Sequence, residues 1–370
     1  MSSITLDDKH RLALVDALRC FAALWVVLFH FSEGNHLPTL LAAIPTWLKY
    51  IVFDAGHLGV PVFFVLSGIV MAATTFRVPM NSANAANFVA RRLVRLAPPY
   101  YAAVALGVLV IAAKHLSGQN GIQLPGFTDI LGHLAFLQGF LGIENIITVF
   151  WTLCIEVQFY IAFAVLLWLA HQANGGEVFQ ARNIAIWVSA LLALLWPTGL
   201  IQSIGWQGGF IGFWFSFMAG VLCGQTLKGT RQSRYIAVGY CAVLLLIGVA
   251  SENSFAIAAG LTGLSFCLLV NHSATLGFMS SYPVIKLGLI SYSLYLFHSP
   301  VIGTFMRLFR RFLPSGLVTD TLALILGLAA CITFAAIAYM IFERPAIAWS
   351  RRIKFKRTDA VVVQSDVNPG

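Results

Sequence analysis

Charged residues are what this sequence has least of. They make up only 10% of the 370 residues, while 59% of the residues are hydrophobic. A soluble domain carries about 25% charged residues, so this composition excludes an ordinary cytosolic enzyme. The net charge is +9, but the basic residues lie in short loops between apolar runs. That pattern is typical of cytoplasmic membrane anchoring and disfavours nucleic-acid binding.

Paired cysteines and several common catalytic motifs are also absent. The six cysteines form no Cys-x-x-Cys pair and lie within or beside apolar segments, so neither a disulfide framework nor a zinc site is predicted. The sequence has no phosphate-binding glycine loop, no His-Glu-x-x-His motif and no Gly-x-Ser-x-Gly motif. Their absence removes the common nucleotide-binding, zinc-protease and serine-hydrolase interpretations. No metal site is predicted.

Long apolar runs recur from residue 12 to residue 342. Because about 20 mostly apolar residues are needed to cross a membrane, we predict an all-α polytopic membrane protein with about ten transmembrane helices. A shorter run at 130–143 is interrupted by polar residues and glycines, and is predicted to be a re-entrant or interfacial segment. The predicted spans are 12–31, 57–76, 97–113, 149–170, 183–200, 209–227, 235–251, 253–271, 287–306 and 321–342.

The predicted organisation is one membrane domain at 12–345 between two cytoplasmic tails, an N-terminal tail at 1–11 and a basic, then flexible, C-terminal tail at 346–370. With the N-terminus inside, most basic residues fall on the cytoplasmic side, as is typical of membrane proteins. If the run at 130–143 also crosses, everything downstream inverts. The basic residues in predicted outside loops are Lys49, Lys114, Arg307, Arg310 and Arg311, of which the last three depart from the usual pattern.

The first predicted span contains Asp16, Arg19 and His30 in an otherwise apolar helix. Ionisable residues at such depth are costly and are therefore functional candidates. Arg19 and His30 lie only about 20° out of phase and about 16 Å apart along the axis, so one stripe of the helix carries both. Asp16 lies one turn from Arg19, where an ion pair would offset the cost of burial. In the alternative interpretation, Arg19 and His30 merely reach the two membrane interfaces.

Two further groups of polar residues lie in or beside later spans. Arg92 and Arg95 share a helical face next to Arg91, at the predicted inner mouth of the third span. Guanidinium groups bind phosphates well, but membrane anchoring explains the same positions. Glu156 lies inside the fourth span between Thr152 and Tyr160. Such a carboxylate must meet a cation, a histidine or a hydroxyl, which is either functional or purely structural.

Three more polar residues occur in the last two spans. Tyr295 and His298 are three positions apart and are predicted to hydrogen-bond across the bundle. Glu343 precedes Arg344 and Pro345 at the end of the last span, where the proline is able simply to end the helix.

Together these motifs resemble the membrane-bound acyltransferase 3 family, which includes O-antigen, exopolysaccharide and Nod-factor acetylases. Arg19, ten intervening residues and His30 are similar to the family's Arg/Lys-x10-His element, and Arg92-Leu-Val-Arg95 is similar to its Arg-x-x-Arg element. Other stretches that fit the family are FFVLSGIVMA at 63–72, WTLCIEVQFY at 151–160 with Thr152 in place of the usual serine, the late SYSLYLFHSP, and Glu343-Arg344-Pro345.

The resemblance implies an enzyme of the bacterial cytoplasmic (inner) membrane that uses cytoplasmic acyl-CoA, expected to be acetyl-CoA, as its donor substrate and holds no permanent cofactor. The acceptor is expected to be a saccharide or glycolipid. The expected partners besides these substrates are the lipid bilayer and a second copy of the chain or a glycan-assembly protein. His30, Glu156 and Arg19 are the predicted catalytic residues, and Arg91, Arg92 and Arg95 are predicted to bind acyl-CoA. The predicted supporting residues are Asp16, Thr152, Tyr160, Tyr295, His298 and Glu343.

Two mechanisms and one rival function remain open at this level. In direct transfer, His30 removes the proton from the acceptor hydroxyl, and Glu156, if adjacent, orients it. In covalent transfer, the acyl group passes through a histidine adduct. The rival function is a transporter or flippase for an anionic glycolipid or acylated sugar, with the same residues lining its path. The sequence shows no inverted repeat, which disfavours the transporter.

Overall fold

The computed structural model describes residues 6–76, 78–118, 121–173, 180–201, 208–227, 231–270, 279 and 281–356, with side chains described from residue 13 onward. All regular secondary structure in these ranges is helical, which confirms the predicted all-α class. Residues 1–5 of the predicted N-terminal tail and 357–370 of the predicted C-terminal tail lie outside the described residues.

The helices follow one another with short connections. They are α1 (Leu6–Glu33), α2 (Pro38–Ala43), α3 (Thr46–Val52), α4 (Gly59–Thr75), α5 (Ser82–Leu116), α6 (Phe127–Leu134), α7 (Gln138–Leu141), α8 (Phe150–Ala173), α9 (Gln180–Ala193), α10 (Trp214–Gln225), α11 (Arg231–Ala250), α12 (Ser254–Leu269), α13 (Tyr282–Leu289), α14 (Ser291–Phe312), α15 (Leu317–Ala338) and α16 (Arg344–Ser350). Short 3-10 segments occur at Asp54–Leu58 and Phe210–Phe213, and a π-helical turn at Tyr339–Glu343 joins α15 to α16.

Six segments of the described residues are long and apolar enough to cross a membrane: Ala13–Glu33, Thr46–Thr75, Ser82–Leu116, Phe150–Ala173, Arg231–Ala250 and Leu317–Ser350. The pair α13 and α14, bent by 70°, makes a seventh if it counts as one span. The multi-span helical architecture is therefore confirmed, whereas the count of ten stays a prediction.

Three predicted spans fall on shorter helices. The runs at 183–200, 209–227 and 253–271 correspond to α9, α10 and α12, of 14, 12 and 16 residues. Every residue of α10 is buried inside the protein. A helix that is apolar on all sides is satisfied equally by protein and by lipid, so an apolar run alone does not distinguish a span from a core helix. The run at 130–143 forms parts of α6 and α7, two helices too short to cross.

Helix α1 lies inside the bundle, where it packs against α4, α13, α14 and the 3-10 segment Asp54–Leu58. The approach of α13 is close: a Cβ atom on Gly288 would lie 2.2 Å from the carbonyl oxygen of Asp16. The stripe that carries Arg19 and His30 is therefore surrounded mostly by protein.

Helix α5 spans 35 residues and places basic side chains near both of its ends. Its start is capped by Asn81, whose side chain accepts a hydrogen bond from the Asn84 amide at 2.9 Å, and it continues through Pro98 and Pro99. On an ideal helix, Arg95 and Lys114 would be roughly 28 Å apart along the axis. The two ends of α5 therefore lie at opposite ends of the bundle.

Helices α4 and α10 pack through glycines. A Cβ atom on Gly220 would lie 1.9 Å from the carbonyl oxygen of Val65, and one on Gly68 would lie 2.2 Å from that of Phe217. Only a residue without a side chain permits this backbone contact, and α4 carries the Ser67 hydroxyl that the functional site uses.

We expect Gly220→Ala to destabilise the protein by about 1–3 kcal/mol, because the added methyl group forces two backbones apart. The measurement is the midpoint of thermal unfolding in detergent. Gly239→Ala in α11 is the matched control, since a Cβ atom there meets nothing within 4 Å and alanine favours helix over glycine by about 1 kcal/mol. Equal midpoints for the two variants would contradict the close packing of α4 on α10.

Candidate functional site

A central cavity between α1, α4, α5, α8 and α14 contains about 670 Å³ of empty space. The predicted site residues that line it are Arg19, Arg92, Arg95, Thr152, Glu156, Tyr160 and Tyr295. These residues come from four separate helices, so the fold brings together side chains that are distant in sequence. Ser67, Ser291 and Tyr292, which the predicted set did not include, add hydroxyl groups to the same wall.

Glu156 is satisfied by two hydroxyl groups and by nearby positive charge. Ser67 Oγ donates a hydrogen bond to Glu156 Oε1 at 2.5 Å, and the Tyr160 hydroxyl donates to the same oxygen. The guanidinium groups of Arg19 and Arg92 both interact electrostatically with this carboxylate. These contacts meet the requirement that an acid in an apolar span finds donors or a cation. Ser67 lies within the stretch at 63–72, which was the sequence signal for it.

A second hydrogen-bonded pair joins α8 to α14 in the cavity wall. Thr152 Oγ1 lies 2.9 Å from the carbonyl oxygen of Val149 and 2.8 Å from the Tyr295 hydroxyl. The carbonyl only accepts, so the single Thr152 proton goes there and Tyr295 donates to Thr152. Tyr295 therefore bonds across the bundle, as expected, whereas the described hydrogen bonds of the His298 side chain go to carbonyl oxygens of its own helix.

A second pocket, the arginine pocket, is lined by Thr74, Arg91, Arg92, Arg95, Arg351 and Phe355 among other residues, and contains about 570 Å³ of empty space. It shares Arg92 and Arg95 with the central cavity, so these two side chains form a common wall. Arg92 Nη2 donates to Thr74 Oγ1 at 3.3 Å. The Arg91 guanidinium lies 5.0 Å from the centre of the Phe355 ring.

The four arginines of this pocket form no ion pair with a described carboxylate, although Arg92 interacts with Glu156 at longer range. Within the described ranges, no Asp or Glu lies within ion-pair distance of Arg91, Arg92, Arg95 or Arg351. Clustered guanidinium groups without acidic partners suit a polyanion such as a phosphate-bearing ligand. Arg351, which follows the last span, was not among the predicted acyl-CoA-binding residues. No sequence motif indicated that it would lie beside Arg91, Arg92 and Arg95.

His30 pairs with Glu33, one turn further along α1. His30 Nδ1 lies 2.7 Å from Glu33 Oε2, and the His30 side chain is 11% exposed against 51% for Glu33. Because an ionised carboxylate only accepts, Nδ1 carries the proton and Nε2 keeps its lone pair. The sequence-based mechanism considered Glu156 as the residue that orients His30. In the structure the two are not paired, and Glu156 bonds Ser67 and Tyr160 instead. The sequence feature that could have identified Glu33 as the partner of His30 is its position three residues later on the same helix.

His298 lies against His30, with 4.8 Å between ring centres. Its Nδ1 atom donates to the carbonyl oxygens of Leu294 and Tyr295, at 3.1 and 2.8 Å. Its Nε2 atom is buried and has no hydrogen-bond partner among the described residues. Tyr295 lines the cavity one turn before His298, so the two histidines lie about one helical turn, roughly 5 Å, beyond the cavity.

Two predicted supporting residues have different surroundings. Asp16 interacts electrostatically with Arg19 and Arg95, but no direct ion pair joins Asp16 to Arg19 in the described structure, so that predicted contact is wrong. The distance follows from rotamers and neighbouring helices, which sequence spacing does not specify. Glu343 is buried and accepts from the amide and the hydroxyl of Ser293, at 3.2 and 2.7 Å. It joins the last span to α14.

Comparison with known proteins places this geometry in a family context. The model of a family described as "Acyltransferase domain" matches residues 12–340. The "Putative membrane-bound transacylase BcsY" of Komagataeibacter xylinus is 27% identical over 93% of this chain and 85% of its own length. The "Exopolysaccharide production protein ExoZ" of Rhizobium meliloti (strain 1021) is 28% identical over 90% of this chain and 98% of its own length.

A further relative matches over only part of its length. "Regulator of hypoxia-inducible factor 1" of Caenorhabditis elegans is 28% identical over 50% of this chain, and the match covers 39% of that protein. No solved structure matches the chain.

Proposed function

This chain belongs to the membrane-bound acyltransferase 3 family, whose model matches residues 12–340, and on that premise we propose that it transfers an acyl group from acyl-CoA to a saccharide hydroxyl. One observation carries the proposal. The arginine pocket shares Arg92 and Arg95 with the central cavity, and His298, one turn beyond Tyr295 in the cavity wall, contacts His30. The names of the relatives BcsY and ExoZ, a transacylase and an exopolysaccharide production protein, support the acyl transfer and the saccharide acceptor.

The donor in this proposal is acyl-CoA, expected to be acetyl-CoA, bound by its phosphates. The arginine pocket offers four guanidinium groups without acidic partners, and such groups form strong charge-assisted hydrogen bonds with phosphate. The pantetheine arm would pass the shared wall of Arg92 and Arg95 into the cavity. Arg19 lies roughly 16 Å from His30 along α1, a distance suited to an extended arm.

The chemical step is direct acyl transfer. His30 Nε2 takes the proton of the acceptor hydroxyl while the hydroxyl oxygen attacks the thioester carbonyl, and a tetrahedral intermediate forms. The carbon–sulfur bond then breaks, and the CoA sulfur leaves with the proton that His30 returns. Glu33 holds the ring with Nε2 available and stabilises the charged imidazole while it carries the proton.

Arg19 and the Glu156 cluster would prepare the cavity for this step. Arg19 Nε has no hydrogen-bond partner among the described residues, so its guanidinium is available to an oxygen of the donor's arm inside the central cavity. Glu156, fixed by Ser67 and Tyr160, supplies the opposite charge that keeps Arg19 and Arg92 in place. An apolar surround excludes water that would otherwise hydrolyse the thioester.

The donor and the acceptor enter from opposite ends of the bundle in this proposal. The arginine pocket lies toward the N-terminal end of α5. His30 lies in the last turn of α1, close to the loop that follows Glu33. We therefore place the arginine pocket on the cytoplasmic side and the acceptor on the extracytoplasmic side of a bacterial inner membrane. A cytoplasmic donor could in this way modify an exported saccharide.

His30→Ala should lower acyl transfer by about 10²- to 10⁴-fold, the usual effect of losing a general base. Glu33→Gln should lower it less and change its pH profile, because glutamine still accepts from Nδ1 but does not stabilise the charged ring. CoA release and acetyl transfer are measured in liposomes, with His115→Gln in the exposed last turn of α5 as the control. Normal turnover of a folded His30→Ala protein would reassign the base, and glycolipid movement without CoA release would favour the transporter.

Arg92→Lys and Arg95→Lys should weaken binding of acetyl-CoA while the charge of the pocket stays the same. Lysine lacks the two-pronged donor geometry that matches phosphate oxygens, so we expect a higher Kd for acetyl-CoA by equilibrium binding in detergent. Binding of dephospho-CoA provides the comparison, because it lacks one phosphate. If both variants bind acetyl-CoA as tightly as the unchanged protein, the arginines serve only as membrane anchors.

Single cysteines at the two ends of α5 test the sidedness. Ser82→Cys and Ser117→Cys lie at the start and just beyond the end of this one helix, and the six native cysteines are all buried. We expect an impermeant maleimide on intact cells to label position 117 and not position 82. Inverted vesicles should give the reverse result. Labelling of position 82 on intact cells would overturn the opposite-side arrangement.

A further inference from the structure

A groove at the end of α5 that carries Lys114 has no role in the mechanism above. We call it the distal groove. It consists of two pockets that share Lys114, Gly303 and Arg307, with about 600 and 1110 Å³ of empty space that is partly open to solvent.

Two cations of the distal groove lack acidic partners. No carboxylate lies within ion-pair distance of Lys114 or Arg307 among the described residues, and Lys114 is half-buried. Arg310 is different, because it pairs with buried Asp320 at 2.5 Å and donates to the carbonyl oxygen of His36 at 2.8 Å. Arg310 therefore holds the loop after α1, whereas Lys114 and Arg307 remain available to a ligand.

The groove reaches the proposed base. Ser299 and Pro300 line its first pocket directly after His298, whose ring contacts His30. Asn35 and His36 line its second pocket just beyond Glu33. Burial, and to a lesser degree the neighbouring Arg310, lowers the pKa of His36 below its ordinary value, so His36 adds no charge at neutral pH. The positive charge of the groove comes from Lys114 and Arg307.

Basic residues on the outer side run against the usual charge pattern of membrane proteins. Arg307, Arg310 and Arg311 are the cluster that the proposed orientation leaves on that side. Arg310 has a structural partner, and Arg311 lines neither pocket. Of this cluster, Arg307 is therefore the residue that lines the groove without an acidic partner, and Lys114 lines the same two pockets.

We propose that the distal groove binds the acceptor through an anionic group, which Lys114 and Arg307 contact, and so presents a saccharide hydroxyl to His30. The anionic group is either a carboxylate on the saccharide or the phosphate that links it to a lipid carrier. This inference rests on the proposed acyltransferase function, because it assigns the class of acceptor for the same site.

The test measures ligand protection of a cysteine in the groove. Thr304→Cys lies in the first pocket and is exposed, so a maleimide should label it while the buried native cysteines stay unlabelled. The protein is placed in phosphatidylcholine nanodiscs. The probes are tetragalacturonate, its neutral methyl ester, and undecaprenyl-diphosphate N-acetylglucosamine, which separate the carboxylate source from the phosphate source.

We expect at least one anionic probe to slow labelling and the methyl ester to have no effect. Lys114→Gln with Arg307→Gln should raise the half-protecting concentration roughly tenfold or more, as for lost hydrogen bonds to a charged group. Arg311→Gln is the matched control, since it removes one charge from the same helix outside the groove. Protection by no probe, equal protection by the methyl ester, or an unchanged response of the double variant would each overturn the proposal.

A parallel assay separates this inference from the proposed function. The same preparations are tested for CoA release from acetyl-CoA with each probe. If an anionic probe protects position 304 but no condition releases CoA, the acyltransferase proposal fails and the anion site stands. If CoA is released with the neutral ester as readily as with the acid, the enzyme stands and the anion site fails. Competition by phosphatidylglycerol nanodiscs alone would identify a lipid headgroup as the occupant and overturn the acceptor assignment.

Discussion

A carboxylate inside a helix bundle must find hydrogen-bond donors or positive charge, because leaving it without them costs several kcal/mol. Three deep acids meet this demand across helices. Glu156 in α8 accepts from Ser67 in α4, Glu343 accepts from Ser293 in α14, and Asp320 in α15 accepts from Arg310 in α14 and from the amides of Thr39 and Leu40. Each bond fixes a helix or loop that carries part of the site. The apolar remainder of the bundle then packs around these three fixed points.

The same constraint separates the site into parts with different charge. The arginine pocket and the distal groove carry cations that form no ion pair with a described carboxylate, whereas in the central cavity Glu156 interacts with Arg19 and Arg92. A cationic pocket that shares a wall with this cavity suits a ligand whose phosphates stay in the pocket while an uncharged arm enters the cavity. Low dielectric strengthens every one of these interactions, so small changes of position would have large effects.

Sequence reasoning found much of this site because intramembrane polar residues are few. The spacing of Arg19 and His30 gave their common stripe, and the family motifs gave Arg92, Arg95 and Glu156. Arg19, Arg92, Arg95 and Glu156 line one cavity, whereas His30 lies about one helical turn beyond it. Spacing gives position along one helix but not which helix lies beside it. For that reason spacing did not identify Glu33 as the partner of His30, and it suggested a direct ion pair between Asp16 and Arg19 that the described structure lacks.

The π-helical turn at Tyr339–Glu343 has a consequence for the rotational phase of the chain's last helix. A π turn contains about one residue more than an α turn. The extra residue rotates the side chains of the following helix by about 100° about the helix axis. Ile347, Ser350 and Arg351, which follow this turn, line the arginine pocket. The one extra residue in the π turn thus sets the rotation of α16 about its own axis. It thereby also sets the direction in which Arg351 points. Removing one residue from the turn would keep all the residues that line the arginine pocket. It would, however, rotate Ile347, Ser350 and Arg351 away from the other three arginines.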